Sequence, residues 1–321
     1  MKRIVLFCSC LLLTLTACDP GESPVAPPEP TDASIVQVDM QPNYDDQLFF
    51  NLATESVVAT IPKVSWDLGF EAHTDGWRVY LNSSRGGAIH RTNSTDFGVM
   101  TSTDAAVWQH DASSWHPDST AAGDYRTLPE VLVLDRGYNA EGLHTGYRKF
   151  QVESHSVSGY QIRVMDLDGG NEAIIDLPKD AAKNRVAVSF ESNSVVEAEP
   201  DTELWDLLFT QYTHLFADPP LPYLVNGVLI NQARVAVAID HEIDFVDITL
   251  AHAQSLEYST AADVIGYNWK IFTFTSGFVV LPEMNYIIRD GDGRYFKLHF
   301  IDFYDDLGEK GAPKFEMQEL I

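Results

Sequence analysis

The chain has 321 residues, of which 47 are acidic and 21 basic, and its formal net charge is −26 at pH 7. A surface this acidic repels nucleic acid and anionic lipid, so neither is expected as a partner. All three cysteines lie within the first eighteen residues. Disulfides, cysteine-ligated zinc, iron–sulfur clusters and cysteine nucleophiles are therefore excluded from the rest of the chain.

The N-terminus has the anatomy of a lipoprotein signal peptide. Lys2 and Arg3 precede an apolar run, Ile4–Leu15, and the run ends in the lipobox Leu15-Thr16-Ala17-Cys18. This pattern predicts a signal peptide over residues 1–17 and lipidation of Cys18. A plain signal peptide and an uncleaved anchor are the alternatives, but the run is shorter than the ~20 apolar residues that a membrane span needs. Cleavage leaves 19 basic and 47 acidic residues, a net charge of −28.

Residues 18–34 are predicted to tether the protein to the membrane. Asp19–Ser34 contains five prolines, four acidic residues and no Lys or Arg. Such a segment has too little apolar surface to offset the entropy of ordering. The folded domain is therefore expected over residues 35–321.

The body of the chain shows the alternation of strands. One example is Tyr295–Phe300, in which Phe296, Leu298 and Phe300 are expected to face the core and the residues between them to face outward. Asp168-Gly169-Gly170 and Asp290–Gly293 are predicted hairpin turns. Only short helices are expected, for example Ser259–Ile265. The sequence therefore predicts an all-β, mostly antiparallel fold.

Two short segments repeat each other. Trp66-Asp67-Leu68-Gly69-Phe70 returns 139 residues later as Trp205-Asp206-Leu207-Leu208-Phe209. Each Asp is expected to accept backbone N–H groups or cap the start of a strand, because an unpaired buried carboxylate is costly. The two copies suggest two related β layers or two tandem halves, and we prefer one domain of about 285 residues. Between the copies, Thr101–Thr127 is interpreted as a loop or insertion that covers an edge or a pocket.

Several stretches resemble the HmuY family, haem-binding surface lipoproteins of Gram-negative bacteria. They are Glu199–His214, Tyr223–Asn231, Ile265–Lys270, Tyr286–Phe300 and Gly308–Glu316. The resemblance is stronger over residues 186–321 and weaker over residues 35–185. It implies a mostly antiparallel β fold, non-covalent haem binding, transfer of haem to an outer-membrane receptor and no enzymatic activity. The resemblance also implies an outer-membrane location, lipid-anchored, at the cell surface or on the periplasmic face. In the best-known members two histidines hold the iron, and methionine is the ligand attributed to others.

A haem site needs axial donors and an apolar slot for the ring. His214 is the first candidate ligand, because it follows the second Trp-Asp segment and precedes a proline-rich loop. His241 is the second candidate, just before an expected turn. Tyr212 and Tyr223 are candidates to line the slot, although aromatic residues on strands more often belong to the core. His110 lies near Trp115 in the insertion, where an aromatic cluster could also bind a ligand.

Other function classes are less favoured. The chain has no G-x-S-x-G elbow, no H-E-x-x-H motif and no P-loop, so the sequence does not predict an enzyme. Two alternatives to haem carriage stay open. One is a surface interaction or assembly module on the same β scaffold, and the other is a binder of another ligand such as a glycan.

Overall fold

The computed structural model describes residues 33–99 and 102–321. The predicted signal peptide (1–17), the lipidation site Cys18 and the tether up to residue 32 lie outside the described residues. The first strand begins at Ser34, one residue before the predicted start of the folded domain. No helix in the described part has the length and hydrophobicity needed to cross a bilayer.

The described part of the chain is built mainly from β-strands, as predicted, and every paired strand is antiparallel to its neighbour. The strands are β1 (Ser34–Gln37), β2 (Asp46–Asn51), β3 (Ser56–Pro62), β4 (Leu68–Glu71), β5 (Val79–Leu81), β6 (Ala88–Arg91), β7 (Leu132–Asp135), β8 (Tyr147–Ser156), β9 (Gly159–Met165), β10 (Ala173–Pro178), β11 (Arg185–Ser189), β12 (Ser194–Val196), β13 (Leu207–Ala217), β14 (Pro220–Ile230), β15 (Ala236–Asp240), β16 (Lys270–Thr273), β17 (Gly277–Val280), β18 (Asn285–Arg289), β19 (Tyr295–Tyr304) and β20 (Lys310–Leu320). The helices are α1 (Leu250–Ala253) and 3₁₀ turns at Ser83–Arg85, Pro117–Ser119, Thr202–Leu204 and Phe245–Asp247.

Four sheets and a separate two-stranded hairpin contain these strands. In order across each sheet, they are sheet A (β1-β20-β19-β18-β15), sheet B (β14-β13-β2-β3), sheet C (β12-β11-β4-β5), sheet D (β10-β9-β8-β7-β6) and the hairpin β16-β17. The turns predicted at Asp168–Gly170 and Asp290–Gly293 do connect hairpin strands, β9 to β10 and β18 to β19.

The sheets form two sandwiches that meet back to back. Side chains of sheets A and B share one apolar core, which includes Phe209 and Phe315 with parallel rings 5.6 Å apart. Side chains of sheets C and D share a second core, which includes Phe70 and Phe150. Sheets B and C then face each other around a cavity of about 30 Å³ lined by Trp66 and other residues of both sheets. Burial on both faces explains why β4 and β13 are rich in large apolar residues.

The two Trp-Asp copies occupy equivalent places at the start of β4 and β13. Asp67 accepts the backbone N–H of Phe190 at 2.7 Å, and Asp206 accepts that of Leu52 at 2.8 Å. The expectation that each carboxylate binds backbone N–H groups is confirmed. Each acceptor bond ties the strand to the end of the neighbouring strand, β11 or β2.

The equivalence extends to an Asn-x-x-Arg segment that follows each copy. Asn82 donates its side-chain amide to the carbonyls of Lys63 and Trp66 at 2.7 and 2.8 Å. Asn231 donates in the same way to the carbonyls of Thr202 and Trp205, both at 2.9 Å. The arginine three residues later pairs with the Asp of its own copy, Arg85 with Asp67 at 2.9 Å and Arg234 with Asp206 at 3.5 Å.

The order of the strands in the sheets repeats as well, although the second copy is not continuous along the chain. Strands β4 to β12 form one contiguous copy, and β13 to β20 begin a second copy. The second copy is completed by β1, β2 and β3, which take the places of β10, β11 and β12. The protein is therefore an internal duplication in which the chain begins inside the second repeat, since β1 pairs with β20 and β2 with β13.

Two local expectations were wrong. Residues Ser259–Ile265 form no helix, because Ser259 pairs with Val237 as an isolated bridge. On β19, Phe296, Leu298 and Phe300 do face the core, but the alternate residues are not exposed. Lys297 and His299 are only 4% and 8% exposed because the connection after β15 covers them, with the ring of Phe245 stacked 4.2 Å from that of His299.

Candidate functional site

A long hairpin, β13–β14, extends beyond the body of sheet B. Its two strands pair without interruption from Leu207–Ile230 to Ala217–Pro220, whereas β2 pairs with β13 only as far as Phe209. The far half of the hairpin therefore has no strand beside it on that edge. Its exposed side chains are apolar: Leu215, Phe216, Leu221 and Tyr223.

The short hairpin β16–β17 lies near the long one and is also apolar at its surface. It exposes Ile271, Phe272, Phe274 and Val279. Its turn end is held by the backbone N–H of Phe278, which donates to the hydroxyl of Tyr304 at 2.8 Å. Gly277 permits this approach, because a Cβ there would lie 2.5 Å from the same hydroxyl and its φ is +66°.

A cleft of about 790 Å³ is lined by residues of both hairpins. This volume falls within the roughly 300–1,000 Å³ that small-molecule sites occupy. Aromatic side chains are frequent in its lining. The cleft residues that matter below are Tyr44, Phe216, Tyr223, Asn226, Tyr267, Lys270, Phe272, Phe278 and Lys310.

Lys270 lies at the floor of the cleft and is 6% exposed. Its Nζ donates to the carbonyl of Asn226 at 2.7 Å and lies 3.8 and 4.7 Å from the ring centroids of Trp269 and Phe303. Burial lowers the pKa of this amine well below its ordinary value. Lys310 is exposed and places a second amine at the cleft, 5.4 Å from the ring of Tyr44.

His214 is half-buried on the long hairpin, immediately beside the cleft. Its ring lies 4.9 Å from Phe216 and 5.1 Å from Tyr267, both of which line the cleft. Nδ1 is 3.4 Å from the hydroxyl of Ser113, which donates to Asp263 at 2.5 Å. Within the described part of the chain Nε2 has no hydrogen-bond partner, so it is the ring nitrogen available to a ligand.

The other three predicted site residues lie in different surroundings. Tyr223 is 58% exposed, lines the cleft and pairs with His214 across the hairpin. Tyr212 is 1% exposed and packs in the core between the sheets, where burial raises the pKa of its phenol. His241 follows β15 in sheet A and is exposed, and it makes no hydrogen bond or ring contact with any described residue. The structure thus brings His214 and Tyr223 together at the cleft and leaves His241 apart from them.

The sequence did not predict the cleft residues of the short hairpin or those of the segment just before it. Tyr267 and Lys270 lie in Ile265–Lys270, a stretch that indicates the family but predicts no binding residue. Nothing in the sequence singles out Phe272. The sequence shows only that Lys270 follows an aromatic residue, Trp269, whose burial is known from the structure. The value of Lys270 as a signal was hidden because a single sequence does not show that the lysine is buried.

The long hairpin also borders a second, smaller cleft of about 490 Å³, which it forms with the insertion. It is lined by Trp108, His110, Leu215 and Leu221 among others. His110 places its Nδ1 3.0 Å from the carbonyl of Gly87, and burial lowers the pKa of its imidazole. In the described residues, no group of three or more His, Cys, Asp or Glu side chains is placed to hold a metal ion.

The comparison with protein families gives one match. Residues 43–317 match the model of the HmuY protein family. No relative among curated proteins matches this chain in sequence.

Solved structures similar to this chain include an apo HmuY analog from Tannerella forsythia, at 10% identity, covering 91% of this chain and 98% of that one, with a TM-score of 0.27. A candidate HmuY-like haem-binding protein from Bacteroides vulgatus is 9% identical, with coverage of 89% and 90% and a TM-score of 0.24. Apo PinO from Porphyromonas gingivitis is 10% identical, with coverage of 91% and 99% and a TM-score of 0.27. At these TM-scores the three structures carry no argument about the site.

Proposed function

The chain belongs to the HmuY family, and from this premise we propose that it binds haem non-covalently in the cleft between the long and the short hairpin. The observation that carries the proposal is the cleft itself. It offers about 790 Å³ between aromatic walls, with amines at its floor and rim and an imidazole beside it.

The side chains of the cleft fit the chemistry of a porphyrin. A flat apolar ring is matched by Phe216, Tyr223 and Phe272, since aromatic pairs gain from stacked or edge-on contact. Propionate groups are matched by the amines of Lys270 and Lys310.

His214 is our candidate for the iron ligand. Its Nε2 has no partner among the described residues, and its ring contacts Phe216 and Tyr267, two residues that line the cleft. For the imidazole to reach iron in the cleft, we expect the 37% exposed ring of Phe216 to move aside when haem binds. His241 stays a candidate second ligand, but no contact in the structure supports it, and the exposed phenol of Tyr223 is the nearer donor.

Titration of the purified chain from Asp19 to Ile321 with haemin tests the proposal. We expect a sharp Soret band that saturates at one equivalent. His214→Ala should change the position of the band. His241→Ala tests the second candidate ligand: a shifted band would support it, and an unchanged band would leave Tyr223 as the nearer donor. Linear, non-saturating spectra would count against haem binding, and an unchanged band in His214→Ala would remove only the assignment of the ligand.

The second candidate function is binding of another apolar ligand, or of a partner protein, on the same scaffold. It is favoured by the cleft lining, in which the described residues include no His, Cys or Met. Saturable binding of an uncharged, iron-free aromatic probe such as N-phenylnaphthylamine, with no Soret change on adding haemin, would support it over haem carriage.

We further propose that Cys18 carries the lipid that anchors the protein to the outer membrane, and that the cleft delivers haem to an outer-membrane receptor. The lipobox supports the anchor. Cells that express Cys18→Ser should release the protein into the soluble fraction, and the wild type should incorporate labelled fatty acid. A variant that stays in the membrane fraction would contradict the anchor without touching the proposal for the cleft.

A further inference from the structure

We propose that Lys270 is the residue that recognises an anionic group of the ligand: the ligand enters the cleft with a carboxylate leading, and that carboxylate pairs with Lys270 at the floor. This inference rests on the proposed function in one respect, namely that the ligand carrying the carboxylate is a porphyrin. It predicts an amphipathic ligand whose polar edge points inward.

Lys270 differs from the other lysines that are buried in the described part of the chain. Lys63, Lys149 and Lys297 each donate to two oxygen acceptors. Lys270 donates to one, the carbonyl of Asn226, and its other near neighbours are aromatic rings. It is thus the buried lysine with the least complete hydrogen bonding, although an ammonium group has three N–H donors.

Besides the rings, the charge of Lys270 has no carboxylate beside it. None of the described carboxylates forms an ion pair with Lys270 or with Lys310, in a protein that has 47 acidic and 21 basic residues. A buried charge without a partner carries a desolvation penalty of several kcal/mol, which an opposite charge in good geometry reduces. A ligand carboxylate is the group that would supply that charge, because the cleft connects the lysine to solvent.

Asn226 adds a second incompletely bonded group to the same floor. Its Oδ1 is buried without a hydrogen-bond partner, and its Nδ2 donates only to the sulfur of Met40 at 3.3 Å. A thioether is a weak acceptor, so neither end of this amide is well satisfied. Because Asn226 lines the same cleft as Lys270, the floor holds two incompletely bonded polar residues.

The test compares haemin with its dimethyl ester, and protoporphyrin IX with its dimethyl ester, in equilibrium titrations of the chain from Asp19 to Ile321. We expect the wild type to bind the free acids at least tenfold more tightly than the esters, since truncating one partner of a buried charge pair commonly costs more than the 1.4 kcal/mol of one tenfold step. Lys270→Met should lose this preference and keep the affinity for the esters. Lys310→Met, the matched variant at the rim, should lose only part of it.

Equal binding of acids and esters by the wild type would overturn the inference and leave haem binding in place, and this comparison needs no variant. A preference that survives in folded Lys270→Met would overturn it too. A chain that prefers the acids of the iron-free porphyrin but gives no saturating Soret band with haemin would support Lys270 and refute the haem cargo. A chain that binds no porphyrin would overturn both proposals.

Discussion

At the residue scale, the buried Asp67 shows how one carboxylate organises several segments. Besides the backbone N–H of Phe190, it holds the guanidinium groups of Arg85 and Arg136 at 2.9 and 3.0 Å, and all three charged side chains are at most 9% exposed. Because the arginines lie in different loops, the single carboxylate connects the ends of β4, β5, β7 and β11.

Asp67→Asn should destabilise the fold by roughly 3–5 kcal/mol, since it leaves the buried charge of Arg85 without a carboxylate among the described residues, whereas Arg136 keeps Glu191 at 3.1 Å. Asp206→Asn, the same change in the second repeat, should cost less, about 1–2 kcal/mol, because Arg234 also pairs with Glu203 and Asp292. Urea unfolding of both variants measures the difference. Equal losses of unfolding free energy would contradict the view that the buried arginines depend more on Asp67 than Arg234 depends on Asp206.

Lys270 should reduce the stability of the free protein. Its folded-state pKa is lowered by burial, so between that value and the ordinary 10.5 the unfolded chain binds more protons than the folded one. The penalty is full below the folded-state pKa and disappears as the pH rises towards 10.5. Lys270→Met should therefore be more stable than the wild type near neutral pH, by roughly 1–3 kcal/mol, and the gap should close at alkaline pH.

Chemical unfolding at a series of pH values checks this, with Lys310→Met as the exposed control that should show no such trend. A gap that is constant with pH would mean that the effect comes from packing and not from charge. A stabilising Lys270→Met that also loses anion preference would show a binding residue kept at the expense of stability.

At the element scale, the short hairpin places some of its aromatic side chains in the cleft wall and others in solvent. Phe272 lines the cleft and is 59% exposed, whereas Phe274, two residues further, is 97% exposed and does not line it. Phe272→Ser should weaken haemin binding about tenfold, the amount expected from losing one aromatic contact area. Phe274→Ser is the matched control and should bind haemin as the wild type does.

Both variants should keep the unfolding midpoint of the wild type, because surface changes are usually within about 0.5 kcal/mol. An equal loss of affinity in the two variants would show that binding depends on the whole hairpin and not on the wall of the cleft.

The sequence allowed prediction of the elements whose signals are local. Alternation and Asp-Gly turns identified the hairpins around Asp168 and Asp290, and the Trp-Asp segments indicated buried carboxylates. The face of β19 that carries Lys297 could not be predicted, because a segment about fifty residues earlier in the chain covers it. The helix expected at Ser259–Ile265 failed for the same reason, since a bridge to Val237 overrides the local preference.

The candidate site could be predicted only in part. His214 is predicted from its place after the second Trp-Asp segment and Tyr223 as an aromatic residue that lines the slot, and both do lie at one hairpin. The cleft needs the short hairpin as well, which is more than forty residues further along the chain. Neither the burial of Lys270 nor its lack of an acidic partner has any trace in a single sequence.

At the scale of the whole molecule, the two Trp-Asp copies are the visible part of a complete duplication. The sequence suggested two related layers or two halves, and the copies do lie in facing sheets B and C. The rest of the repeat was hidden because β1 to β3, at the N-terminus, complete the copy that ends at the C-terminus. A search along the chain compares segments in sequential order and therefore cannot align them.

This arrangement predicts that the chain can be reordered so that each repeat is contiguous. Ser34 pairs with Met317, so Ile321 lies about four strand residues, or roughly 13 Å, beyond the start of β1. A Gly/Ser linker of about six residues spans that gap. New termini between Glu197 and Ala198, after β12, would start the chain with the second repeat and end it with the first.

The reordered chain, residues 198–321 joined through the linker to residues 33–197, should fold and retain the cleft, because every strand pairing is preserved and circular permutation is tolerated at exposed connections. Its circular dichroism spectrum and haemin titration should match those of the parent chain. The control opens the chain between Thr210 and Gln211, within β13, and should not fold, since it breaks the strand that joins sheet B to the long hairpin. If the chain opened after β12 folds no better than the chain opened within β13, the prediction is wrong. The order in which the strands follow each other along the chain would then be required for folding.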